Sequence, residues 1–237
     1  MTWKQAFTSS VGRKLVMAFT GIFLILFLIV HVSINACIFA DLNVPVWPFD
    51  ANDNGRIFNK AAHFMSSTIL IRILEVGLFA GFILHIAQGF VLEASNRAKR
   101  KQGYAVSLGN RGSKWYSRSM GLLGTLILLF LILHLANFWV KARITGSPYM
   151  PEKDGIHDMF NLMKVTFSEL WVVVAYVLGC ISLAYHLLHG FQSAFRTVGV
   201  TNKRWFSLVQ SIGVGYSILV PALFALMPIA MYLGWVG

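Results

Sequence analysis

Four histidines lie deep inside four separate apolar stretches of this chain: His31, His85, His134 and His189. Histidine is costly in hydrocarbon, and an ionisable group placed there is a functional candidate by default. Two imidazoles that meet at one depth can hold an iron from opposite sides. Membrane and soluble helix bundles carry haem in this way. Two such pairs would form a path for electrons. The question for the rest of the chain is which elements bring the four rings to matched depths.

The chain has 237 residues, 57% of them hydrophobic and 12% charged, against about 25% charged in a soluble domain. Its mean hydropathy is +0.66. These values indicate an integral membrane protein, read here as a single membrane domain over 1–237. About 20 apolar residues cross the hydrocarbon core of a bilayer. Five stretches qualify, at about 15–40, 66–92, 119–140, 169–195 and 206–235. The expected fold is all-α, an integral bundle of five transmembrane helices. Pro221 and Pro228 predict a kink in the fifth. The N-terminus has the charge of a signal peptide but too long an apolar run and no clear cleavage site, so it reads as a retained first span.

The net charge is +11. On a membrane protein, such an excess marks cytoplasmic segments rather than nucleic-acid binding. Lys4, Arg13 and Lys14 precede span one; Arg97, Lys99, Arg100, Lys101, Arg111, Lys114 and Arg118 follow span two; Arg196, Lys203 and Arg204 follow span four. The opposite connections are balanced. Asp41, Asp50 and Asp53 face Arg56 and Lys60; Glu152, Asp154, Asp158 and Glu169 face Lys141, Arg143, Lys153 and Lys164. The N-terminus is therefore expected inside and the C-terminus outside. The basic stretch 93–118 serves as a topology signal and equally as a docking surface for a soluble partner. Cys37 and Cys180 read as small core residues, and no Cys-x-x-Cys-His is present to attach haem covalently.

Helical rise then sets depths. His31 falls 17 residues after Lys14 and His134 falls 16 after Arg118, both on outward-running spans. His85 falls 8 residues before Glu93 and His189 falls 7 before Arg196, both on inward-running spans. His31 is thus expected opposite His134 near the outer face, and His85 opposite His189 near the inner face. The two levels are separated by on the order of 14 Å. His186 lies three residues before His189, on nearly the same face, and is the alternative inner ligand. A lone intramembrane histidine is often a hydrogen-bonded packing residue, but four at two matched depths are hard to obtain that way. A metal transporter would more often add carboxylates or cysteines; Glu75 is the only acidic residue well inside a span.

A quinone site needs hydrogen-bonding groups near a haem edge and a proton path to water. His63, Arg72 and Glu75 lie toward the outer end of span two, with Lys60 nearby and Asn35 and Asn137 at a similar level. Arg72 and Glu75, spaced i, i+3, can equally form a structural ion pair. Haem propionates need cationic partners. Lys14, Arg118 and Arg196 sit at the inner helix ends and fit that role, or simple anchoring. His157 lies in an outer loop. Trp3, Trp47, Trp115, Trp139, Trp171 and Trp205 flank the spans as an interfacial belt, with no chemistry assigned.

The segments GIFLILFLIVH ending at His31, GFILHIAQGF around His85, SRSMGLLGTLILLFLILHLANFW around His134 and YHLLHGFQSAFRTVG around His189 resemble one family in order and spacing. It is the cytochrome b subunit of succinate dehydrogenase and fumarate reductase, in its single-subunit, five-helix, dihaem form, especially as found in Bacteroidetes-type complexes. The resemblance spans nearly the whole chain. It implies two haem b groups, the outer held by helices one and three and the inner by helices two and four. In some members a glycine follows the fourth-helix ligand, which favours His189, before Gly190, over His186. Some fumarate reductases of the family carry a glutamate two residues before that ligand; here the position is Leu187, or Ala184 if the ligand is His186. The resemblance also implies an iron–sulfur subunit and a flavoprotein as partners, menaquinone or another quinone as substrate, and a bacterial inner membrane. It implies a place in the respiratory chain and the tricarboxylic acid cycle. The chain itself has no dinucleotide fingerprint and no cysteine cluster, so the dicarboxylate chemistry would belong to the partners. Two alternatives remain: a dihaem cytochrome b of another respiratory oxidoreductase, and a haem-free transporter.

Overall fold

The computed structural model describes residues 9–41, 54–99, 114–153 and 155–236. Trp3, Lys4, Trp47, Asp50, Asp53 and Asp154 lie outside the described residues, as do Arg100, Lys101 and Arg111 of the basic stretch. The chain is mostly helical. In order, the helices are α1 (Ser10–Asn35), α2 (Arg56–Ser67), α3 (Ile69–Lys99), α4 (Trp115–Arg118), α5 (Met120–His134), α6 (Met159–Phe167), α7 (Leu170–Thr197) and α8 (Lys203–Tyr232). Two short antiparallel strands, β1 (Glu152–Lys153) and β2 (Ile156–His157), precede α6.

Among the described residues, five helices are long and apolar enough to cross a membrane: α1, α3, α5 with its continuation to Thr145, α7 and α8. They mark a multi-pass membrane protein. Their outward surfaces carry large apolar side chains; Ile69 is 77% exposed, Val76 72% and Phe19 63%. In water such faces would drive association. Against lipid they need no partner, while the backbone polar groups are met inside each helix.

Helix ends follow from local chemistry. Gly55 opens α2 at φ +74°, a left-handed conformation that side chains resist, and a Cβ there would overlap the Phe160 ring. Thr68 is extended (φ −74°, ψ 125°) and separates α2 from α3, which the apolar run alone would merge. Past His134, α5 widens into two π-helical turns, Leu135–Trp139 and Lys141–Thr145, with Val140 N–H donating to Leu135 O five residues back. Helix α8 runs through both Pro221 and Pro228, each without an N–H for the ladder.

The chain divides into two compact units. The first comprises residues 1–27, 76–127 and 182–219. Within it, Phe27 meets Phe82 edge-on at 6.2 Å, and Tyr216 donates its hydroxyl to Ile25 O at 2.8 Å. Phe191 stacks at 4.9 Å on Phe195 and 5.5 Å from Tyr216. The second unit comprises residues 28–75, 128–181 and 220–237. Ile38 and Leu162 are completely buried there. Asn59 ties α2 to α6: it donates to Asp158 Oδ1 at 2.9 Å and accepts from Phe160 N at 2.9 Å. Asp158 also caps α6, accepting from Asn161 N at 3.0 Å.

Candidate functional site

Three of the four histidines favoured by sequence, His31, His85 and His134, and the alternative, His186, come together as two ring pairs, one in each unit. In the second unit, the rings of His31 and His134 are 5.8 Å apart, centre to centre, and almost perpendicular at 88°. Phe224 lies 5.4 Å from His31. His134 sits among Phe130 at 5.8 Å, Phe138 at 5.5 Å and Tyr176 at 6.0 Å. Among these rings His134 Nδ1 is buried, with no protein hydrogen-bond partner. Asn35, one turn beyond His31, donates to His31 O at 2.8 Å and places the same amide 3.4 Å from His31 Nδ1. Asn137 donates to the Tyr176 hydroxyl at 3.3 Å.

In the first unit, the ring facing His85 is that of His186, at 6.2 Å and 65°. The sequence favours His189 there, with His186 as the alternative. His189 makes no ring contact among the described residues and stands part-exposed. The reason for the difference is angular. Three residues along a helix shift a side chain by less than one turn in depth, so a count from Arg196 does not separate the two histidines. The same step rotates the side chain by about 60° around the axis, and that rotation decides which ring faces α3. His186 Nδ1 is buried and without a partner, whereas His85 Nδ1 lies 3.1 Å from Thr20 Oγ1. Two glycines flank this pair. A Cβ on Gly21 would lie 3.6 Å from His85 Cε1, and one on Gly124 would lie 3.9 Å from His186 Cε1.

The ring-centre separations of both pairs lie near what two ligands of one shared metal would show. Metal–imidazole bonds of about 2.0 Å, plus about 1.2 Å from each nitrogen to its ring centre, put two opposed ligands about 6.4 Å apart. The observed separations are 5.8 and 6.2 Å. No cluster of three or more metal-binding side chains occurs among the described residues. A haem held here would need only two protein donors, and the two imidazoles of each pair are the residues that would supply them. Each pair also contains one buried ring, His134 or His186, whose Nδ1 no protein atom satisfies.

Glu75 is held differently from the sequence expectation. Arg72 comes only to 4.0 Å, with half its side chain exposed. The close partners are Trp139, whose indole N–H donates to Oε1 at 2.6 Å, and Arg143, which donates to Oε2 at 3.4 Å. Arg143 also donates to Ser66 O at 3.4 Å. Trp139 ends the first π turn and Arg143 lies in the second, so the widened helix presents both to Glu75. Neither residue was singled out for chemistry by sequence; their i, i+4 spacing was the available signal. His63 joins this group only through its backbone, accepting at its carbonyl from Ser66 and Ser67 at 3.0 and 2.8 Å. Lys60 is exposed. His157 pairs loosely with Glu152, at 3.8 Å across the hairpin.

Of the propionate candidates, Lys14 and Arg118 are exposed at helix ends, and the Arg196 guanidinium covers the Phe206 ring at 4.2 Å. Cys180 is buried, Cys37 is half-buried, and both are free thiols.

Compared with protein-family models, curated proteins and solved structures, the chain matches none.

Proposed function

We propose that this protein is the membrane-anchor cytochrome b subunit of a succinate:quinone oxidoreductase. In this reading it carries electrons between an iron–sulfur subunit and a quinone, menaquinone by resemblance. The observation that carries the reading is the meeting of two histidine rings in each unit, at centre-to-centre separations near those suited to one iron apiece. Bound there, two haem b groups would supply one-electron redox centres. The chain's own part is to hold, orient and dry those sites. His31 and His134 are the ligands of one, inside the wall of Phe130, Phe138, Tyr176 and Phe224. His85 is a ligand of the other.

The second ligand on α7 is set by two criteria that part company. The family resemblance favours His189, before Gly190. The ring facing His85, with an orphaned buried nitrogen, belongs to His186. A buried ring nitrogen without a partner costs about 1–3 kcal/mol, and we therefore assign His186.

The charge pattern supports an inside N-terminus and an outside C-terminus, and the family resemblance supports a bacterial inner membrane. That orientation puts the His31–His134 level and the Glu75 group toward the outer face, where quinone would exchange protons. Arg72, Glu75 and Arg143 are the polar groups offered to it, with His63 at their margin. The flavoprotein and iron–sulfur subunits would dock on the basic inner surface.

Single histidine substitutions test the assignment. His31→Leu and His134→Leu should each remove the same haem, leaving about one per chain. His85→Leu and His186→Leu should each remove the other, while His189→Leu retains two. Loss of a haem in His189→Leu but not in His186→Leu would move the ligand to His189. Full haem content in all five variants would end the haem reading.

A further inference from the structure

We infer that Thr20 is a positioning residue for His85, fixing the imidazole tautomer that leaves Nε2 free to bind a metal. The inference rests on the haem reading above. Thr20 Oγ1 lies 2.8 Å from Val16 O, 3.2 Å from Met17 O and 3.1 Å from His85 Nδ1. A threonine hydroxyl has one proton to give. Inside a helix it goes to a carbonyl of the preceding turn, and here the shortest contact is of that kind. The same bond limits the side chain to the rotamers that reach that carbonyl. With its proton committed to Val16 or Met17, the oxygen can only accept from His85. Nδ1 must then carry the hydrogen, and Nε2 keeps its lone pair.

Metal-binding histidines commonly donate their second ring N–H to a carbonyl, carboxylate or water, which fixes the tautomer and raises ligand basicity. A committed hydroxyl does the same work inside a membrane without adding a charge. The next residue, Gly21, completes the arrangement. A Cβ there would only touch His85 Cε1, at 3.6 Å, so the backbone of α1 comes close to the edge of the ring between its two nitrogens.

The other rings lack this arrangement. His134 Nδ1 and His186 Nδ1 are buried without a protein partner, and beside His31 Nδ1 stands Asn35 Nδ2, at 3.4 Å, with no hydroxyl in that position. The two ligands of the His85 pair are therefore chemically unequal. His85 is the more electron-rich, and an electron-rich ligand favours oxidised iron. Thr20 would thus hold the potential of that haem down.

The test compares the whole chain in liposomes as wild type, Thr20→Val and Thr20→Ser. Haem per chain is measured first, then each haem by potentiometric titration with optical detection. Thr20→Val is expected to shift the oxidised-to-reduced ratio at fixed potential toward reduced iron, because His85 loses the acceptor that makes it the more basic ligand. The shift should affect only the haem that His85→Leu removes. Thr20→Ser, which keeps the hydroxyl, should restore the wild-type ratio. Selective loss of that haem in Thr20→Val, with retention in Thr20→Ser, is the stronger form of the same result. An unchanged ratio in Thr20→Val, or equal effects in both variants, overturns the inference. A wild-type chain without haem defeats the functional reading by itself. Thr20 is then judged separately from 15N spectra of histidine-labelled, haem-free protein. His85 protonated at Nδ1 in wild type and at Nε2 in Thr20→Val sustains the positioning role; the same tautomer in both ends it.

Discussion

Removing the Glu75 carboxylate should destabilise the protein mainly through the partners it leaves behind. Glu75 and Arg143 are about one-fifth exposed, so both charges are largely out of water. The Trp139 bond, at 2.6 Å to a carboxylate, is charge-assisted and worth about 1.5–3 kcal/mol. Arg143 at 3.4 Å adds less, but without Glu75 it becomes an unpaired, part-buried cation. Glu75→Leu is therefore expected to cost about 3 kcal/mol. Glu75→Gln keeps an acceptor for the indole and should cost about 1 kcal/mol. Arg143→Leu should recover part of the loss when combined with Glu75→Leu, because no orphaned cation remains. The double-mutant cycle should give a coupling of about 1.5–2 kcal/mol, measured by reversible unfolding in mixed micelles. Additivity within about 0.5 kcal/mol would refute the reasoning, as would equal losses for Glu75→Gln and Glu75→Leu.

Three further outcomes follow from named contacts. Glu75→Gln should slow quinone reduction while leaving haem content intact, and unchanged turnover would remove Glu75 from the quinone site. A Cβ at Gly179 would lie 2.6 Å from the Phe130 ring, which is 5.8 Å from His134. Gly179→Ala should therefore cost about 1–3 kcal/mol by overpacking and weaken retention of the His31–His134 haem before the other, as read by haem content on warming. Asn59→Ala should cost about 1–2 kcal/mol and speed proteolysis near α6, since Asp158 and Phe160 N lose a shared partner.

The spans were legible in the sequence because crossing hydrocarbon requires about 20 apolar residues, and nothing subtler needs decoding. Their limits shifted where local chemistry intervened. Thr68 splits α2 from α3, and α3 continues to Lys99, with Glu93 and Arg97 paired along it at 2.6 Å. The meeting of His31 with His134 was legible as depth, since two counts from charged ends gave nearly equal levels. The choice between His186 and His189 was not, because depth carries no rotation. Arg72 beside Glu75 was readable from i, i+3 spacing, but Trp139 and Arg143 approach from another helix, through π turns that no propensity announces. The Asn59–Asp158 clamp likewise joins residues far apart in sequence. Thr20 was invisible for the same reason: an ordinary helical threonine becomes informative only when a ring from another span stands beside it.

The central claim is that the two histidine pairs hold haem. Its most direct test is a reduced-minus-oxidised optical spectrum of the purified membrane protein, with haem counted per chain as the pyridine haemochrome. If the histidine pairs hold haem, the spectra are b-type and there are two haems per chain. Folded protein carrying no haem would contradict the claim and leave the four histidines to a transporter.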